Sequence, residues 1–465
     1  MKKRFFIVSL QILFLSTFSF YKTQVFAYSF EELKNAMISN NPEILKLEEQ
    51  YLQSQLDYKD AQSGFFPTID LQVSGTYMVN PPVDAIYLNV DQIIDSINWP
   101  SNMKPAKGNQ YVKVFDGMEN TLYQFELNLT QPIFTWGKIT NATKLYKQIS
   151  QVKQTQLEAK QEEMNVELES RLTALHYIEA ILQLIEEEKE YAARLVQVSE
   201  DAYKSGMLLE QDVLEAKIQA KQLDIAQQDL TEQLKQQLLE LERSTGIPDL
   251  SLENINFNYD EQKLLQILEN DRQKLEEKAL SAETLSIKLL TQVKEVNKTA
   301  ETIAKASVNW KPDFALQLTA GYGGSRVPIF EPNWLKKDDY SLNISIGIKT
   351  TVWDGGKKVR DVSRKISETK SAEIDKLDAC ATIKKTLSEE WNAAEVCTMK
   401  IEYQDLKIET ANSKIAQAET VFKTGYGSET DVLNAKIECC NQKIEKEKQS
   451  LNRATSCLKI NYLCR

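Results

Sequence analysis

The chain is poor in the residues that do chemistry. It has one histidine, His176, in the middle of a long helical pattern. A lone helical histidine with no nucleophile or acid motif beside it reads as a solvated or packed side chain, which argues against a hydrolase or an imidazole-based metal enzyme. The six cysteines all come late, at Cys380, Cys397, Cys439, Cys440, Cys457 and Cys464, and none has CxxC spacing. That excludes the usual zinc sites. No cofactor motif is present, so no enzyme and no cofactor are expected. Basic residues are outnumbered, 56 Lys and Arg against 67 Asp and Glu. A net charge of −11 argues against a nucleic-acid partner.

Long apolar runs are also scarce. One lies at the start, where Lys2, Lys3 and Arg4 precede an apolar core from Phe5 to Phe20. Val25 and Ala27 then stand at the −3 and −1 positions of a small-residue cleavage site. This is the pattern of a signal peptide, residues 1–27, so an exported protein is expected. Without Lys2, Lys3, Arg4 and Lys22 the charge falls from −11 to −15. No later stretch is long and apolar enough for a membrane-spanning helix.

Glycine and proline are missing from two long runs, Lys138 to Tyr203 and Lys357 to Phe422, 66 residues each. Each run predicts a helix of ~99 Å at 1.5 Å per residue. Both end in the same motif. GMLLEQDVLEAKI, from Gly206, and GYGSETDVLNAKI, from Gly425, agree at eight of thirteen positions with an offset of 219 residues. The offset holds back to Ile133-Phe134-Thr135-Trp136-Gly137-Lys138, which aligns with Val352-Trp353-Asp354-Gly355-Gly356-Lys357. Further upstream it grows to 245, because the first half holds 26 extra residues, placed in a Pro/Asn/Asp-rich loop around 79–120. The expected organisation is therefore two repeats, 28–246 and 262–465, joined by a linker at 247–261. Each repeat has a helix, two strands and a long helical hairpin.

Four segments alternate with period two. Their apolar sides are Ile69, Leu71, Val73 and Tyr77; Phe125, Leu127 and Leu129; Phe314, Leu316, Leu318 and Tyr322; and Leu342, Ile344, Ile346 and Ile348. Aromatics bracket each segment: Phe66 and Tyr77, Tyr123 and Phe134, Trp310 and Tyr322, Tyr340 and Trp353. Eleven tilted residues rise about 26 Å, close to the apolar band of a membrane β-barrel. Four strands cannot close a barrel with a lumen, so a membrane barrel would have to be shared between chains. A soluble antiparallel sheet with one buried face fits the same alternation.

The return helices carry a narrow apolar stripe, through Val213, Ala216, Ala220, Leu223, Leu230, Leu234 and Leu241 in the first half. In the second it runs through Leu433, Ile437, Cys440, Ile444, Leu451, Ala454 and Leu458. Such a stripe fits plain coiled-coil packing or a hollow helical tube wet on both faces. Gly206 and Gly425 let the chain reverse, and acidic residues follow at the positive ends of the return helices.

With Gln131-Pro132-Ile133-Phe134, Gly137, the Val352-to-Gly356 segment, the two tip motifs and a start SFEELKNAMISNNPEI, the chain resembles the TolC family of outer-membrane efflux proteins. The resemblance implies an α+β membrane protein: a homotrimer with a shared twelve-stranded β-barrel in outer-membrane lipid, continuing into a long α-helical coiled-coil barrel across the periplasm. It implies a passive exit duct of a tripartite efflux or type I secretion system, with a periplasmic adaptor and an inner-membrane pump of RND, ABC or MFS type. The adaptor would grip the tips at Gly206, Met207, Gly425 and Tyr426. Pro132, Gly137, Gly355 and Gly356 would mark the barrel-to-helix transitions. Asp431, Asn434 and Asp212 would line the constriction, where a ring of carboxylates favours cations. Asn434 stands where the family has a second aspartate, and Gly427 where a gate arginine is known, so the lock would be differently made. For Asp431 and Asp212, complementing the helix dipole is an equal reading. A periplasmic or surface coiled-coil protein without a pore is the alternative function. Finally, positions summing to 854 lie opposite each other if the second hairpin turns near residue 427. Cys397 and Cys457 do so, and a disulfide between them is expected in an oxidising compartment.

Overall fold

The structure, a computed structural model, describes residues 27–115, 117–308, 311–324 and 340–465. The signal-peptide segment before Ala27 and the girdle residue Trp310 lie outside the described residues. In chain order the elements are β1 (Tyr28–Ser29), α1 (Phe30–Asn40), α2 (Pro42–Ser63), β2 (Thr68–Tyr77), β3 (Ile86–Asn89), α3 (Val90–Ser96), β4 (Tyr111–Phe115), β5 (Thr121–Phe134), α4 (Lys138–Lys204) and α5 (Glu210–Thr245). They continue with β6 (Ile255–Asn256), α6 (Glu261–Leu265), α7 (Arg272–Ala279), α8 (Leu285–Val308), β7 (Asp313–Gly324), β8 (Tyr340–Lys349), α9 (Lys357–Lys423) and α10 (Glu429–Leu463). The two long helices are each 67 residues, ~100 Å at 1.5 Å per residue.

The chain divides into two compact units, each built from both halves of the sequence. One takes Gln154–Leu289, Lys376–Arg465 and the described residues up to Gln50; the other takes Tyr51–Lys153 and Leu290–Asp375.

The second unit is organised by an antiparallel sheet in the order β2-β5-β7-β8. The register keeps like with like. Leu71, Leu127 and Ala320 run across the sheet in one row, and Ile69, Leu129, Leu318 and Ile344 in another. The alternate rows are polar, as in Asp70, Asn128, Thr319 and Asn343. The apolar face is open: Ile69, Leu71, Leu342, Ile344, Ile346 and Ile348 are all exposed. Within the described residues β2 and β8 are edges, so one chain forms an open sheet and not a closed barrel.

The expected 79–120 loop has structure of its own. β3 and β4 pair antiparallel with α3 between them. Asp91 ties the returning chain down by accepting from the backbone N–H of Gly108 (3.1 Å) and Asn109 (2.6 Å).

The first unit packs around Leu33, Met37, Ile44, Met164, Leu168, Leu172, Leu175, Leu241 and Leu250. The segment at 247–261 takes part in this core. Leu250 is buried, Ile247, Leu252 and Phe257 lean on the cluster, and β6 pairs in parallel with β1. A link that is polar by composition is thus anchored by its few apolar residues, each of which lands on the α1–α4–α5 core.

Candidate functional site

Where strands hand over to long helices, the backbone turns through two consecutive left-handed residues. These are Trp136 (φ 53°) and Gly137 (φ 77°) before α4, and Gly355 (φ 68°) and Gly356 (φ 79°) before α9. Asp354 caps α9, accepting from the N–H of Gly356 (3.0 Å), Lys357 and Lys358 (3.1 Å each). Trp136 is a bulky residue where the matching position has glycine, a strained choice. Its neighbours hold it there. The indole N–H donates to the Pro312 carbonyl at 2.8 Å, and the Lys311 ammonium sits 4.6 Å over the ring. Lys138 pairs with Asp313 at 2.7 Å alongside. Pro132 lies on β5, where the register to β7 shifts before Phe134. Pro cannot donate to the ladder, so such a shift is where it is tolerated.

The tips repeat one geometry. Gly206 (φ 75°) and Gly425 (φ 81°) are left-handed. Behind them Met207 N–H donates to the Ala202 carbonyl (2.8 Å), and Tyr426 N–H to Val421 (3.1 Å). This six-residue closure satisfies carbonyls that a helix end would leave unpaired. A Cβ at either glycine would meet nothing within 4 Å, so the demand for glycine comes from φ alone. Gly206→Ala and Gly425→Ala are therefore each expected to cost about 1–2 kcal/mol, the left-handed penalty, with no clash to add. Comparing apparent melting temperatures of each variant with the wild type checks this; unchanged melting at both positions would show that the tips bear no strain. Met207 and Tyr426 beside them project into solvent.

Past each tip a carboxylate closes the next helix. Asp212 accepts from the Leu209 N–H at 2.9 Å. Asp431 accepts from the Ser428 hydroxyl at 2.8 Å, and Ser428 Oγ in turn accepts from the Asp431 N–H at 3.2 Å. Both aspartates thus serve as helix caps. Asn434 lies exposed further along α10. Among the described residues each aspartate shows only its cap contacts, while one turn on from Asp212 the neighbouring Ala216 shares a cluster with Leu433, next to Asn434.

Ion-pair rungs set the register inside each hairpin. Lys217–Glu200 (2.7 Å) and Lys189–Asp224 (3.1 Å) link α4 to α5. Lys436–Glu419 (3.2 Å), Lys414–Glu438 (3.0 Å) and Lys446–Asp405 (2.6 Å) link α9 to α10. The rungs hold the Glu200 and Asp224 carboxyls below the usual range, in each case first through the hydrogen bond from lysine. The second-hairpin rungs sit close to the register expected for Cys397 and Cys457. All six cysteines are nevertheless free thiols, so the expected disulfide is corrected here. Burial pushes the Cys457 thiol up to about 11, and the Cys397 thiol is raised as well. Buried thiols that stay protonated are poor nucleophiles for forming a bridge.

Sequence reasoning missed the contacts between the two hairpins. Arg194 of α4 meets Glu429 at the start of α10 in a two-pronged pair, Nε to Oε1 at 2.7 Å and Nη2 to Oε2 at 3.1 Å. Behind it Ala192, Leu195 and Ala216 pack on Leu433 and Ile437. The Lys436 ammonium lies 5.5 Å over the Tyr191 ring.

The family model of outer membrane efflux proteins matches residues 33–247, a range that includes β2, β5 and the whole first hairpin. Over that range the chain is similar to the outer membrane efflux protein family. No curated protein shows significant sequence similarity to the chain. Solved structures extend the likeness in fold over the second half. The Campylobacter jejuni CmeC outer membrane channel is 13% identical, with a TM-score of 0.69, covering 94% of this chain and 85% of that chain. The Vibrio cholerae outer membrane protein VceC is 13% identical, with a TM-score of 0.68 over 94% of each chain. The open state of the Neisseria gonorrhoeae MtrE outer membrane channel is 11% identical, with a TM-score of 0.64 over 94% of this chain and 88% of that chain. At these identities the likeness is one of fold.

Proposed function

We propose that the protein is a passive outer-membrane duct: a homotrimer in which three four-stranded sheets close a twelve-stranded barrel and the long hairpins form a tunnel below it. The observation that carries this reading is the four-stranded sheet, with its apolar face open and, among the described residues, both edges unpaired. A sheet with open edges is not tolerated in lipid, and copies of itself are the simplest means of closure. Among the described residues no helix is long and apolar enough to cross a membrane. The helices also look for neighbours. Val396, Met399, Tyr403 and Leu406 form an exposed stripe at three- and four-residue spacing on α9, and Leu214, Ile218 and Ile225 another on α5. Such stripes fit coiled-coil contacts with further copies.

On this reading the chain is two structural repeats, 28–246 and 262–465, joined through 247–261. The exposed tips around Gly206, Met207, Gly425 and Tyr426 meet a periplasmic adaptor, which couples the duct to an inner-membrane pump. Asp431, with Asn434 and Asp212, sets the narrowest point, and Arg194–Glu429 takes the place of a lock at Gly427. The chain itself catalyses nothing.

Planar-bilayer conductance of the detergent-purified protein tests this, with Asp431→Asn and Asp431→Ala compared to the wild type. Asn keeps an acceptor for the Ser428 cap while losing the charge. Discrete, cation-preferring steps are expected, with the preference falling several-fold in both variants. Steps unchanged in both would leave Asp431 as a helix cap only. Repeated lack of conductance from a water-soluble protein would favour a coiled-coil protein without a pore.

A further inference from the structure

Glu186, Glu187 and Glu188 stand in a row on α4, but only the first two have ordinary surroundings. Glu186 accepts from Gln227 Nε2 at 2.6 Å, and Glu187 from the Tyr191 hydroxyl at 2.9 Å. Glu188 is 1% exposed. It occupies one position of the stripe Ile181, Ile185, Glu188, Ala192, Leu195, which packs α4 against α10 of the other hairpin. On one side of it lie Ile181, Ile185 and Ile444; on the other lie Ala192, Leu195, Leu433 and Ile437. One Glu188 oxygen accepts from Asn441 Nδ2 at 2.9 Å. The other is shut off from solvent and has no hydrogen-bond partner among the described residues.

The charged and titratable groups around it offer no compensating cation. On α4, Glu187 is engaged by Tyr191, and Lys189 pairs with Asp224 of α5. On α10 the Cys440 thiol feels the Glu188 charge, and burial pushes it up to about 12. Lys443 and Glu187 act on that thiol, and Glu438 is held by Lys414 of α9. Gln227 of α5 is spent on Glu186 and on the Lys189 ammonium, which donates to it at 2.6 Å.

We propose that Glu188 and Asn441 form a proton-operated joint between the two hairpins, closed when the carboxyl is neutral and loosened when it ionises. The proposal rests on the duct reading, in which parting the hairpins widens the tunnel end. The physical cause is that a half-satisfied carboxylate inside an apolar seam is costly, whereas the neutral acid is tolerated. Burial holds the Glu188 carboxyl at about 7, with the Asn441 bond pulling the other way. A raised carboxyl value sets the sign. The closed joint is stable at low pH and loses stability as pH rises through and beyond the ordinary carboxylate range. With about 4.5 for the open joint and about 7 for the closed one, going from about pH 6 to about pH 8 shifts the balance toward open by about tenfold.

Amide hydrogen exchange across residues 181–195 and 437–444 reads this in the detergent-purified full protein, corrected for the chemical exchange rate at each pH. Wild-type protection in the seam is expected to fall about tenfold from about pH 6 to about pH 8. Glu188→Gln, which cannot ionise, is expected to show no pH step. Glu188→Leu, which completes the apolar stripe, is expected to be flat as well and better protected, and covers the case in which the glutamine variant folds poorly. A wild-type seam equally protected at both pH values would overturn the joint, as would the same fall in both variants. Lack of bilayer conductance with the tenfold step intact would sink the duct reading and leave the joint standing.

Discussion

Ile344→Lys is expected to keep the protein from accumulating in the outer membrane as a heat-modifiable trimer, while Asn343→Lys, one residue away, leaves assembly close to normal. Ile344 is 67% exposed near the middle of β8, paired across to Leu318. Leu342, Ile346 and Ile348 share its face. On the proposed reading that face meets the hydrocarbon, where a lysine at midplane depth costs about 2–4 kcal/mol per copy. Three copies multiply the cost against a folded state stable by only about 5–15 kcal/mol. Asn343 points to the opposite face, beside Thr319, where water replaces lipid. Membrane fractionation followed by electrophoresis with and without heating gives the comparison. Normal assembly of Ile344→Lys would mean that the apolar face does not see lipid. Equal failure of both variants would mean that β8 tolerates no lysine on either face.

How much of this could be read from the chain differs from element to element. The four sheet strands were legible because period-two alternation is a local signal, and each has at least ten residues to display it. The long helices announced themselves by lacking glycine and proline, and the tips by restoring glycine where φ turns positive. The 79–120 segment was not legible. β3 and β4 have four and five residues, and what fixes them is Asp91 reaching backbone N–H groups 17 and 18 residues away. β6 is two residues pairing with two residues at the other end of the first half, too short for any pattern.

The same limit applies to the candidate site. Arg194 and Glu429 are 235 residues apart, and each looks like one more surface charge. Glu188 is the third glutamate of a run, and composition cannot separate it from its neighbours. Its position could have been found, because the three- and four-residue spacing from Ile181 to Leu195 passes through it. What spacing does not give is the residue waiting across the seam. Asp212 and Asp431 illustrate the reverse case. Their sequence position suits a cap and a constriction alike, and a single chain displays only the cap.

The segment joining the halves supplies the remaining large effect. Leu241→Ala is expected to destabilise the protein by about 2–5 kcal/mol, against almost nothing for Leu239→Ala. Both leucines are on α5, two residues apart, yet Leu241 is completely buried and Leu239 is half exposed. Leu241 packs with Leu33 and Met37 of α1, with Leu168 and Leu172 of α4, and with Leu250 from the segment after α5. Removing its side chain leaves a void bordered by helices that cannot all move inward, so the loss includes a cavity as well as transfer from water. Leu250 and the β1–β6 pairing are expected to loosen with it, since they rest on the same cluster. Melting of the detergent-purified variants at one fixed scan rate measures the difference, because large membrane assemblies unfold irreversibly. A negligible loss for Leu241→Ala would remove the core from under the joining segment. A loss at Leu239 as large as at Leu241 would show that another copy of the chain covers Leu239, which is the contact that closing the helical tunnel requires.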